Sequence, residues 1–104
     1  MSVLMEFSMF PTDKGESVSE YVSRIIDMID RSGVPYKLTP MGTVVETEGF
    51  SEALKILEFA YKELEPDCNR VYSSVKFDIR RNADNRLESK QKSVEKRIGR
   101  EVKR

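Results

Sequence analysis

From residue 2 to residue 10 the chain alternates. Val3, Met5, Phe7 and Met9 fall on one side and Leu4, Glu6, Ser8 and Phe10 on the other, the period of a β-strand. The rhythm then changes. After a turn-rich loop, Val18, Tyr21, Val22, Ile25, Ile26 and Ile29 recur at helical spacing, and Gly33 with Pro35 ends that helix. Ser17 followed by Glu20 reads as a capping box at its start. A second helix runs from about Ser51 to Leu64, stopped by Pro66, with Ala53, Leu54, Leu57, Ala60, Tyr61 and Leu64 as its stripe. Ile56 and Phe59 lie off that stripe and are expected to meet another subunit. Residues 70–80 return to period two. Val71, Ser73, Val75, Phe77 and Ile79 face one way, with Tyr72, Ser74, Lys76 and Asp78 opposite.

Between the helices, Tyr36 to Glu46 reads as two short strands around a Pro-Met-Gly corner, where Pro40 withholds a ladder donor and Gly42 supplies freedom. Tyr36, Leu38 and Val45 are the expected core positions of this hairpin. The same unit of strand and helix lies on either side of it. The order strand–helix–strand–strand–helix–strand predicts an α+β, ferredoxin-like βαββαβ sandwich over residues 1–82, with two helices on one face of a four-stranded antiparallel sheet. Residues 83–104 form a separate C-terminal basic helix. Its apolar residues, Leu87, Val94, Ile98 and Val102, make a seam too narrow to hold a helix in water, so it is expected to dock on the body or on a neighbouring subunit.

Charge sharpens that division. Residues 80–104 hold ten Lys or Arg against four Asp or Glu, and residues 1–79 hold eight against fourteen. The tail therefore carries +6 and the body −6, which favours tail-on-body docking over nucleic acid. Histidine is absent and Cys68 is alone, which excludes His-dependent nucleophilic catalysis, His-containing zinc sites and an intrachain disulfide. No cofactor is expected. No run approaches a membrane span and no signal-peptide pattern opens the chain, so the expected location is cytoplasmic, with no membrane partner.

If the helices cover one face, the other shows Glu6, Ser8, Phe10, Lys37, Thr39, Val44, Glu46, Tyr72, Ser74, Lys76 and Asp78. A solvated sheet with cross-strand ion pairs accounts for the charges. Leu4, Phe10, Val44 and Tyr72 fit better a face that meets a second subunit around a polar pocket. Glu46, read as lying off the core, is expected to accept Gln without loss of folding.

Phe7 to Pro11, the segment Gly33-Val34-Pro35-Tyr36-Lys37-Leu38-Thr39-Pro40-Met41-Gly42-Thr43-Val44-Val45-Glu46, and Arg70 to Arg81 together resemble the small thiamine-binding protein family. The Tyr-x-Leu-Thr-x-Met-Gly-Thr-Val-x-Glu stretch is the most specific part. The resemblance implies a cytoplasmic homotetramer, a dimer of dimers, that binds thiamine or its hydroxymethylpyrimidine moiety without catalysis, as carrier, buffer or sensor. An oligomeric structural or regulatory module with a protein partner is the alternative. An aminopyrimidine offers adjacent donor and acceptor edges, which Glu6, Ser8, Thr39, Glu46 and Ser74 can match. Phe10 and Met41 can sandwich a flat ring, with Gly42 and Thr43 of the hairpin completing the expected site.

Overall fold

Strand β1 (Ser2–Pro11) lies between two longer-range partners and organises the sheet. The computed structural model describes residues 1–102, the side chain of Lys90 excepted; residues 103 and 104 of the expected tail lie outside the described residues. After β1 come α1 (Ser19–Ser32), β2 (Tyr36–Thr39), β3 (Gly42–Thr47), α2 (Phe50–Leu64), β4 (Val71–Arg80) and α3 (Arg86–Ile98). The strands order as β2-β3-β1-β4, every neighbouring pair antiparallel. This is the expected ferredoxin-like arrangement.

Register follows from the alternation in β1. Val3, Met5 and Phe7 stand opposite Thr47, Val45 and Thr43 of β3 and opposite Ile79, Phe77 and Val75 of β4. All these side chains share the face covered by α1 and α2. The core consists of Val3, Met5, Phe7 and Met9 with Val45, Ile25 and Ile29 of α1, and Ala53, Ile56, Ala60 and Leu64 of α2.

Three local expectations change. α2 is rolled about its axis: Ile56 is buried, whereas Leu54 and Tyr61 are exposed. Ala53 and Ala60 bring the helix close to the sheet, and the larger residues settle on either side of that alanine ridge. Leu38 is 59% exposed because β2 is a four-residue edge strand whose end α1 does not cover. Ser17 gives no cap, since α1 starts after Val18, whose carbonyl takes the first helical bonds from Tyr21 and Val22.

Side-chain clasps hold the loops. Asp13 accepts hydrogen bonds from the Asn69 and Arg70 amides, and Arg24 reaches from α1 to Asp67 beyond α2 at 2.9 Å. At the β2–β3 corner, the Thr39 hydroxyl donates to the Gly42 carbonyl and accepts from the Met41 amide. Gly42 lies hard against β1: a Cβ there would sit 2.8 Å from the Phe7 carbonyl oxygen. Backbone cannot yield as a flexible side chain can. Gly42→Ala is therefore expected to cost about 1–3 kcal/mol, the scale of overpacking. Urea denaturation of the two proteins checks this, and an unchanged midpoint would refute the close approach.

Candidate functional site

Where β1 ends, the hairpin and the first turns of α1 fail to close on one another. The gap is a cavity of about 370 Å³ lined by Phe7, Met9, Val22, Ile26, Leu38, Thr43 and their neighbours. Its volume falls in the range of small-molecule sites, and its wall is predominantly apolar with a few hydroxyl and main-chain groups. Thr43 reaches it because β3 alternation turns that side chain to the helix side, opposite Phe7. Met41, 86% exposed at the hairpin tip, forms the rim. No wall residue carries a carboxylate, an amine or a thiol.

The other sheet face is partly roofed. α3 crosses it and is fastened at its first turn by a polar knot. The Glu46 carboxylate accepts from the Ser2 hydroxyl at 2.5 Å, the Arg86 amide at 3.0 Å and the Leu87 amide at 3.2 Å. It thus supplies the cap that α3 lacks from its own sequence. The Arg86 guanidinium donates to the Ser2 hydroxyl and to the carbonyls of Ser2 and Asp78, and pairs with the Asp78 carboxylate at 3.0 Å. Farther along, Lys37 pairs with Glu88 at 3.2 Å. Beyond α3 the face stays open, with Lys76 on Glu6 at 3.2 Å and Phe10 tilted against Tyr72, ring centres 5.9 Å apart.

The nine expected site residues divide between these two places. Ser8, Phe10, Thr39, Met41, Gly42 and Thr43 line the cavity. Strand alternation sends the Ser8 and Phe10 side chains to the open face, so main chain is what they add to the wall. The Thr39 hydroxyl is engaged in the turn. Glu6 and Ser74 stand on the open face, Ser74 directly opposite Ser8. Glu46, 9% exposed, is committed to the α3 knot, four residues along β3 from the hairpin corner. Sequence reasoning missed the share of α1 in the cavity, Val18, Val22, Ile25 and Ile26, because all four serve equally well in a core stripe. It also missed Ser2 and Arg86; the lone signal for Arg86 is a cation opening a helix, where the macrodipole disfavours it.

The sequence profile described as thiamine-binding protein matches residues 5–95. The UPF0045 protein MJ1052 of Methanocaldococcus jannaschii is 36% identical over 92 residues, covering 88% of this chain and 91% of its own. A UPF0045 protein of Methanothermobacter thermautotrophicus is 34% identical over 83 residues, 79% and 84% of the two chains. The crystal structure of MJ1052 superposes with a TM-score of 0.79 at 35% identity, covering 89% of this chain and 95% of that one. A protein of Thermotoga maritima, named for a suspected place in thiamine biosynthesis or salvage, shares the fold at a TM-score of 0.77 and 22% identity, over 90% and 99% of the chains.

Electrostatics make the knot pH-dependent. Burial pushes the Glu46 carboxyl up; the Ser2 hydroxyl, the Arg86 and Leu87 amides and the Arg86 charge outweigh it and leave the group below its ordinary value. A depressed carboxyl stabilises the fold fully above the unfolded value of about 4.3, and that contribution is lost as pH falls through the folded value. Glu46→Gln replaces one acceptor oxygen with a donor facing donors. It is expected to loosen α3 by about 1–3 kcal/mol at neutral pH and to flatten the acid limb of stability. Amide exchange in α3 against pH measures both, and parent-like protection would show that the knot does not hold the helix.

Proposed function

The chain belongs to the thiamine-binding protein family, and we propose that it is a non-catalytic binding protein for thiamine or its hydroxymethylpyrimidine moiety. The observation that carries this reading is the hairpin-end cavity, whose size suits one flat ring. A pyrimidine fits its wall through apolar contact with Phe7, Val22, Ile26 and Leu38 and hydrogen bonds to the Thr43 hydroxyl and nearby main chain. The cavity offers a thiazolium no carboxylate, so the pyrimidine end enters and the charged ring stays at the mouth beside Met41. The absence of acid, base or thiol from the wall supports binding without chemistry.

No helix among the described residues is long and apolar enough to cross a membrane. The reading places the protein in the cytoplasm as carrier, buffer or sensor, with no nucleic-acid partner; in its support, the tail's Arg86 pairs with Asp78 of the body and its Glu88 with Lys37 of β2. It also takes the working unit to be a homotetramer, a dimer of dimers. The exposed Phe50, Leu54, Phe59, Tyr61, Phe77 and Ile79 support that assembly. These same residues favour the alternative, an oligomeric module for a protein partner.

Calorimetric titration with thiamine and hydroxymethylpyrimidine decides between them. The expected result is saturable binding at one site per subunit, tighter for the pyrimidine; no heat with either compound would favour the module. Thr43→Val, close to isosteric, should weaken binding by about 0.5–1.5 kcal/mol. Ser74→Ala, on the opposite face, should leave it unchanged. Light scattering at micromolar concentration is expected to give a tetramer, and a monomer would remove the assembly.

A further inference from the structure

The cavity at the hairpin end continues past its own wall. Val22, Ile26 and Leu38 line it and also line an open groove of about 580 Å³ between α1 and β2. Leu38, 59% exposed, is the saddle between the two. The groove adds Asp27, Asp30 and Tyr36, with the hydroxyls of Ser19 and Ser23. Whatever protrudes on that side from a ring seated in the cavity meets carboxylates. Asp27 lies five residues beyond Val22 along α1, a rise of about 7.5 Å, inside the screening length of about 10 Å at 0.1 M salt.

Among the described residues around the mouth, no cation is left to answer an anion. β1 and β3 contain neither Lys nor Arg. In α1, Arg31 pairs with Asp27, and Arg24 is held by Asp67 at 2.9 Å and Glu20 at 3.2 Å. Lys37 of β2 belongs to the opposite sheet face, where it pairs with Glu88. The charge of Lys14, in the loop before α1, is felt by Asp13 and Asp67. The start of α1 would favour an anion through its dipole, but Glu20 already brings a carboxylate to that turn.

We propose that the site selects the free alcohol of its pyrimidine ligand and rejects the phosphate ester. The inference deepens the ligand reading above and rests on it. A phosphate monoester carries a charge of about −1.5 to −2 at neutral pH. Drawn into the cavity, it would lose its hydration and find only the Thr43 hydroxyl and main chain, short of what a buried charge needs. Left at the mouth, it would face Asp27 and Asp30. Arg31 offsets the first in part, while Asp30 is met by the neutral Tyr36 hydroxyl at 3.0 Å, so the balance stays negative. A neutral alcohol meets neither cost. The same sign of field suits the thiazolium that the reading leaves at the mouth.

The test is calorimetric titration with hydroxymethylpyrimidine, its phosphate ester and its acetate ester, the last a neutral group in the same place. At low salt the phosphate ester is expected to bind about tenfold more weakly than the alcohol, with the gap narrowing at high salt. The acetate ester is expected to bind like the alcohol. Two variants move the charge. Leu38→Lys sets an ammonium on the exposed saddle, and Asp27→Asn removes a carboxylate and frees Arg31. Each is expected to raise the ratio of phosphate-ester to alcohol affinity by about fivefold, and if one fails to fold the other decides. A phosphate ester that binds as well as the alcohol overturns the proposal and leaves the ligand reading standing. So does an acetate ester rejected as strongly as the phosphate, which would make the barrier steric, or a ratio unmoved in the folded variants. No heat from any of these compounds or from thiamine removes the proposal together with the reading.

Discussion

β1 is the constraint on which the rest depends. It is the central strand with a partner on each side, and its two faces have opposite duties. Val3, Met5, Phe7 and Met9 bury completely or nearly so under α1 and α2, while Ser2 on the other face enters the knot that seats α3. A slip of one residue would exchange those faces, exposing the core row and burying Glu6 without its lysine. Three layers therefore share one register.

How much of this was legible follows from the kind of signal each feature leaves. Periodicity identified the seven elements and the inward face of β1, because alternation over ten residues admits one reading. It misplaced the roll of α2, since stripes centred on Leu57 and on Ala53 differ by less than a residue's turn and the alanine ridge decides between them. Glu46 shows the deeper limit. On the strand pattern it is simply an outward carboxylate; that Ser2, Arg86 and Leu87 converge on it depends on where a distant helix lands. The cavity was not legible: the hairpin residues were read toward a pocket on the open sheet face, the α1 wall looks like any core stripe, and an unfilled space leaves no mark on a sequence.

The opposite charges of body and tail meet at few, well-built contacts rather than by general attraction. Arg86 is nearly buried and satisfied by carbonyls as well as by Asp78, the condition under which a desolvated cation is tolerated. Exposed pairs such as Lys62–Glu58 add little by comparison. Past its first turns α3 offers half-exposed Val94 and Ile98, so its hold on the sheet is concentrated at one end.

The corner between β2 and β3 has a further consequence. Thr39 and Gly42 close it between them, one through its hydroxyl and the other through its lack of a Cβ, so the residue at the tip bears no load. Met41 is that residue, and it stands at the mouth of the cavity. Exchanging its side chain would reshape that mouth while leaving the hydrogen bonds of the corner in place.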